Sequence, residues 1–209
     1  MLCKHQAAPP WRGFFVLLVL LLCACGSSQK PVYPLLGGER ILAFGDSLTA
    51  GYGAAAGEDY PSQLALLTGW DVRNAGISGD TTEDGLRRLP AVLKAEKPDV
   101  VLLCLGGNDL LRKRSVDLLQ NNLREMLDMI RAAGAQPILV AVPQPALVGL
   151  DDHPLYAELA AAEQVPLISG LMSQTLKRSA WRSDRIHPNA AGYQHIAEVM
   201  ALALGHSGR

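Results

Sequence analysis

Short unbroken apolar runs and longer stretches of helical periodicity take turns along this 209-residue chain. Arg40–Gly45 (RILAFG) is apolar and ends in glycine, which predicts a buried strand. Asp71–Ala75 reads as a second strand, Asp99–Leu105 as the clearest one, Gln136–Val142 as a fourth and Val165–Ile168 as a short fifth. Helices are expected between them. Tyr60–Thr68 is a short one. Thr81 and Asp84 stand at capping-pair spacing for a helix running to about Lys97, which Pro90 should bend or split. Val116, Leu119, Leu123, Met126, Leu127 and Ile130 follow helical spacing until Gly134. Pro154–Gln164 and the amphipathic Ala190–Leu204 complete the set. Strands alternating with helices predict an α/β fold: a three-layer α/β/α sandwich around a mostly parallel, about five-stranded sheet.

The N-terminus breaks this rhythm. Phe14–Ala24 (FFVLLVLLLCA) is an uninterrupted apolar run of eleven residues. A membrane-spanning helix needs about 20. The run has the length of a secretory signal's apolar region, and Lys4 and Arg12 supply the basic residues before it. Leu22-Cys23-Ala24-Cys25 resembles a bacterial lipobox: a large aliphatic residue, two small ones, then a cysteine. The expectation is cleavage before Cys25 once its thiol carries diacylglycerol, since a thioether is what holds the lipid. Gly26, in place of an aspartate, favours the outer membrane in a Gram-negative host. The chain thus divides into a lipoprotein signal peptide (1–24), a lipidated tether rich in Ser, Pro and Gly (25–38) and one folded domain (39–209).

This division changes how the composition reads. The chain is 49% hydrophobic and 19% charged, with a net charge of -1. It is too apolar for disorder and too nearly neutral to bind nucleic acid by charge. The first 24 residues hold 17 apolar ones, so the remainder falls to about 46%, ordinary for one globular domain. Of four cysteines only Cys104 belongs to the folded part, inside a strand-like run. A buried, unreactive thiol is expected there, and no internal disulfide.

In a parallel sheet, ligands bind beyond the carboxyl ends of the strands. The sequence holds no G-x-S-x-G, no phosphate-binding glycine loop and no H-E-x-x-H, so neither the common α/β-hydrolase layout nor nucleotide or zinc binding is supported. Gly45-Asp46-Ser47-Leu48 directly follows the first strand, and Gly45 would permit a tight turn that exposes Ser47. A serine hydroxyl needs a base to become a nucleophile. Asp184-Arg185-Ile186-His187-Pro188 supplies one: a carboxylate three residues before a histidine can accept its Nδ1–H and leave Nε2 for the serine proton. Pro188 would suit the first turn of the last helix. Asn74 to Asp80 follows the second strand and Gly106-Gly107-Asn108-Asp109 the third. At that edge the Gly79 N–H and the Asn108 amide could face a developing oxyanion.

Together these four blocks resemble the GDSL, or SGNH, hydrolase family, over about residues 40–204. Asn74 to Thr82, Arg88-Leu89-Pro90 and Gly106 to Asp109 are most similar to its arylesterase and acyl-CoA thioesterase/lysophospholipase branch. The resemblance implies a flavodoxin-like sheet, Ser47 as nucleophile, His187 as base and acid, and Asp184 as its orienter. It implies an oxyanion hole of the Ser47 N–H, the Gly79 N–H and the Asn108 side chain. It also implies ester or thioester hydrolysis of a small acyl-ester or lipid-like substrate, with no cofactor, no metal and no nucleic-acid partner. Pro143 to Leu150 departs from the branch, which carries an Asn-Tyr-Gly loop there. A carbohydrate or peptidoglycan O-acetylesterase is the competing enzymatic reading, and a non-catalytic binding lipoprotein the competing non-enzymatic one. Trp70 and Trp181 read as packing or rim residues, His153 and His195 as surface or helix-face residues. Arg87, Arg88, Arg112, Lys113 and Arg114 read as a solvated face.

Overall fold

The computed structural model describes residues 31–145 and 149–207; the expected signal peptide (1–24) and Cys25 lie outside the described residues. The elements are β1 (Arg40–Gly45), α1 (Ser47–Ala50), α2 (Tyr60–Thr68), β2 (Asp71–Gly76), α3 (Thr82–Glu96), β3 (Val100–Cys104), α4 (Gly107–Leu111) and α5 (Val116–Ala132). They continue with β4 (Gln136–Val140), β5 (Pro143–Pro145), β6 (Leu150–Asp152), α6 (Leu155–Glu163), β7 (Leu167–Ile168), α7 (Leu171–Lys177) and α8 (Ala190–Ala203).

Five strands form one parallel sheet in the order β2-β1-β3-β4-β7. This is the doubly wound, flavodoxin-like order, whose winding reverses between β1 and β3. Every residue of β3 is buried, as its unbroken apolar run requires of a strand covered on both faces. β2 is an edge strand, half exposed, and its sequence DVRNAG is correspondingly polar. α3, α5 and α6 cover one face. α5 turns Leu119, Leu123, Met126, Leu127 and Ile130 inward, each fully or almost fully buried. Each such side chain contributes about 1.5–3 kcal/mol of burial. α2 and α8 pack together on the other face. Cys104 lies in this core as a free, buried thiol, and burial pushes it well above the ordinary thiol range.

Local chemistry sets the boundaries. α3 opens with a complete capping box: Thr81 accepts from the Asp84 N–H, and Asp84 accepts from the Thr81 N–H. Pro90 does not split α3, which runs unbroken from Thr82 to Glu96. It lies on the exposed side of the helix, where water can satisfy the carbonyl left without a donor, while Leu89 and Leu93 stay buried on either side. α8 begins at Ala190 rather than Pro188, because the Asn189 side chain caps it by accepting from Gly192 N. Pro188 instead pairs with Arg182 in an antiparallel bridge.

Part of the expected tether is docked. Val32 and Tyr33 donate to Ala203 O, and Leu35 donates to Leu204 O. Tyr33 shares a hollow with Asp99, Gln136 and Val165, all at the amino edge of the sheet. Among the described residues, no helix is long and apolar enough to cross a membrane.

Candidate active site

The carboxyl edge of the sheet carries a cleft of about 290 Å³ between the ends of β1, β2 and β3 on one side and the β5–β6 hairpin on the other. Ser47 sits in it as the first residue of α1. Asp46, not Ser47, caps this helix by accepting from Leu48 N at 3.0 Å, so the serine hydroxyl is free of capping duty. Gly45 is needed for close approach rather than for a left-handed turn. A Cβ there would stand 2.2 Å from the Thr49 hydroxyl and 2.3 Å from the Cys104 carbonyl. Only glycine lets α1 drop against β3 and leave Ser47 at the edge.

Asp184 and His187 come from the loop before α8. Asp184 accepts from the Ile186 and His187 N–H groups and from His187 Nδ1, each at 2.8 Å. Partial burial would raise the Asp184 carboxyl, but the three hydrogen bonds outweigh it and hold it below the usual carboxylate range. The bond to Asp184 fixes Nδ1 as the protonated nitrogen, and Nε2 faces Ser47 Oγ at 3.0 Å. The Tyr52 ring lies 4.4 Å from the imidazole, between centroids, and packs against its side.

On the opposite side of Ser47 the chain makes a turn at Ile77–Asp80. Ile77 N donates to Gly45 O, and Asp80 N donates to Ile77 O. Gly79 has φ +89°, the left-handed region glycine adopts freely, and a Cβ there would stand 3.9 Å from the Arg112 guanidinium, an ordinary contact. Asn108, in the first turn of α4, donates one amide hydrogen to Asp80 O at 2.9 Å. Ser47, Gly79, Asn108 and His187 all line the cleft. Among the described residues, neither Ser47 N–H nor Gly79 N–H donates to a protein acceptor. Asp46, Tyr52 and Ser78 also line it, and the remaining wall is largely apolar, with Leu111, Val142, Pro143, Leu150, Leu176 and Ile186. Residues 146–148 of the departing segment lie outside the described residues, but Pro143 and Leu150 flank them on the hairpin.

A serine on a strand-to-helix turn, a histidine within reach and a carboxylate fixing the tautomer form an arrangement that can deprotonate the hydroxyl as it attacks a carbonyl. Among the described residues no cluster of His, Cys, Asp or Glu could hold a metal ion. The sequence profile of the GDSL-like lipase/acylhydrolase family matches residues 43–195, which include all of these side chains. The chain belongs to the GDSL-like lipase/acylhydrolase family. It is an ester-hydrolysing serine hydrolase. It is 36% identical to the thioesterase 1/protease 1/lysophospholipase L1 of Escherichia coli (strain K12) over 201 residues, covering 93% of this chain and 92% of the relative. It is 36% identical to an arylesterase of Vibrio mimicus over 197 residues, covering 90% and 95%. Among solved structures, the psychrotrophic esterase EstA from Pseudoalteromonas sp., inhibited by monoethylphosphonate, matches with a TM-score of 0.68 and 30% identity. That match covers 78% of this chain and 94% of EstA.

The structure also places further residues of this acylhydrolase. Arg88 is not on a solvated face. Its side chain is 18% exposed, bonds Asp80 and two backbone carbonyls, and lies over the Phe44 ring. Arg112 donates to Gly79 O, and Arg114 to Glu83. Asp109 is buried, and its two oxygens accept from the Thr82 N–H and hydroxyl, fastening α4 to the start of α3. Trp181 stacks on His195 at 4.1 Å and is not part of the cleft wall. Helical spacing was too short to reveal α7, whose Leu176 reaches the cleft.

Proposed function

We propose that this chain is a lipid-anchored serine esterase that transfers acyl groups from esters or thioesters to Ser47 and then to water. The observation that carries this reading is the hydrogen-bonded sequence Asp184–His187–Ser47 at the mouth of an apolar cleft. Ser47 Oγ attacks the substrate carbonyl as His187 Nε2 takes its proton. Asp184 keeps Nδ1 protonated and steadies the imidazolium. The Ser47 and Gly79 N–H groups and the second amide hydrogen of Asn108 receive the oxyanion. His187 protonates the leaving alcohol or thiol, and water then repeats the cycle on the acyl-enzyme. The apolar wall favours an acyl chain over an acetylated sugar. The names of the Escherichia coli and Vibrio mimicus relatives support thioesters, lysophospholipids and aryl esters as the first substrates to try.

The anchor gives this site a direction. The segment Val32–Leu35 is fastened at the amino edge of the sheet, and the cleft opens at the carboxyl edge. A lipid on Cys25 would hold the cleft away from the membrane that carries it. The detergent-solubilised full chain should hydrolyse p-nitrophenyl esters from acetyl to palmitoyl, acyl-CoA or lysophospholipid, and lose turnover as Ser47→Ala. Turnover confined to acetylated glycans would replace this substrate class. Cys25→Ala should release the protein from membranes and abolish palmitate labelling; retained labelling would sink the anchor.

A further inference from the structure

Arg88 gathers four groups that the chain brings from distant positions. Nε donates to Asp80 Oδ2 at 2.6 Å, Nη1 to Ala75 O at 2.9 Å and Nη2 to Gly45 O at 2.9 Å. Its guanidinium carbon lies 3.9 Å from the centre of the Phe44 ring. Gly45 O and Ala75 O mark the ends of β1 and β2, where ladder bonding runs out. Asp80 closes the turn that carries Gly79. The same residue's carbonyl receives the Asn108 amide. With Asp80 only 13% exposed at its side chain, the pair is largely withdrawn from water. In that setting an ion pair with three further well-directed contacts holds geometry strongly.

We infer that Arg88 is a positioning residue for the oxyanion side of the site: it fixes Asp80, and through Asp80 it fixes both the Gly79 N–H and the direction of the Asn108 amide. This rests on the reading of Ser47 and Asn108 given above. One Asn108 amide hydrogen is committed to Asp80 O, so the other is aimed wherever that carbonyl sets the amide plane. A shift of the Asp80 backbone turns the free hydrogen away from the attacked carbonyl. Asp109 secures Thr82, two residues beyond Asp80, and among the described residues its carboxylate makes no hydrogen bond to Asp80 or β1. Ile77 N ties the start of the turn to Gly45 O and Arg112 bonds Gly79 O, but among the described residues Arg88 is the side chain that joins Asp80 itself to the strand end that leads into Ser47. Lysine could pair with Asp80, but it lacks the planar fork needed for both carbonyls and the Phe44 face.

The test is steady-state kinetics of the full chain on p-nitrophenyl butyrate, with thermal unfolding in parallel. Arg88→Met should lower kcat by about 10–100-fold, a fraction of the loss from removing an oxyanion donor outright. KM should move much less, because the interaction acts in the transition state. Arg88→Lys should recover part of kcat. The double variant Arg88→Met/Asn108→Ala should be about as slow as Asn108→Ala alone, since both act on one device. Arg87→Ala, on the exposed neighbour, should match the wild type. If Arg88→Met fails to fold, Asp80→Asn keeps the shape and weakens the pair, and should show the same non-additivity with Asn108→Ala. Unchanged kcat in folded Arg88→Met, or losses that multiply in the double variant, would overturn the inference. If Ser47→Ala or Asn108→Ala kept wild-type turnover, the site reading itself would fail and this inference with it.

Discussion

On one side of the Ser47 hydroxyl stands the loop Arg182–Pro188; on the other stand the Gly79 turn and Asn108. The loop is self-contained. Asp184 bonds only to residues two and three positions away, Ser183 N donates to His187 O, and the bridge between Arg182 and Pro188 closes the loop. Asp184 is half exposed, and its local hydrogen bonds outweigh what burial costs its charge. The oxyanion side is assembled from Gly45, Ala75, Asp80, Arg88 and Asn108, mostly withdrawn from water. A local loop can keep its geometry at the surface because few dihedrals separate its partners. A non-local one needs buried polar partners, and losing any of them strands the rest.

Four measurements test that contrast. Ser47 serves both sides, so Ser47→Ala should remove nearly all turnover, about 10⁵-fold or more in kcat, measured by a burst-free ester assay. On the loop side, Asp184→Ala should cost about 10³–10⁴-fold in kcat through loss of the correct tautomer, yet barely move the melting temperature. On the buried side, Asn108→Ala should cost about 10²–10³-fold in kcat. Its neighbour Asp109→Ala should destabilise the fold by about 1–3 kcal/mol in urea unfolding, because the Thr82 donors are stranded. Equal melting shifts for Asp184→Ala and Asp109→Ala would erase the distinction.

The smallest effect concerns pH. Burial pushes the Asp46 carboxyl up to about 7, with nearby Asp80 and Asp109 adding to the rise and the Leu48 N–H opposing it. The folded protein therefore keeps a proton that the unfolded chain releases above about pH 4. Stability from this group is full below that point, falls as pH rises, and levels off above about 7. Asp46→Asn removes the titration and can still cap α1. Its melting temperature relative to the wild type should be higher at pH 8 than at pH 5. A pH-independent difference would mean that Asp46 is already ionised in the fold.

The five strands of the parallel sheet, α3, α5 and α8 were readable because buried runs and helical spacing leave marks in a single segment. α7 has seven residues and the β5–β6 strands three each, too few for a period to show. The four site blocks were readable for a related reason: each is a short turn after a strand or before a helix, with Gly, Asn, Asp or Pro at fixed places. Arg88 left no comparable mark. In sequence it stands beside Arg87 on an exposed-looking helix, and only the approach of β1, β2 and the Gly79 turn makes it an interior residue. Asp109 was hidden in the same way, its partner Thr82 being 27 positions away.

By itself, then, the sequence determined the alternation of strand and helix, the order of the blocks and the internal geometry of the Asp184–His187 loop, since all of these follow from local periodicity and short-range hydrogen bonding. Which carbonyl Asn108 faces, which arginine is buried and which walls line the cleft were decided only when β1, β2 and β3 came side by side. Those contacts depend on distances between segments far apart in the chain, and no spacing along it encodes them.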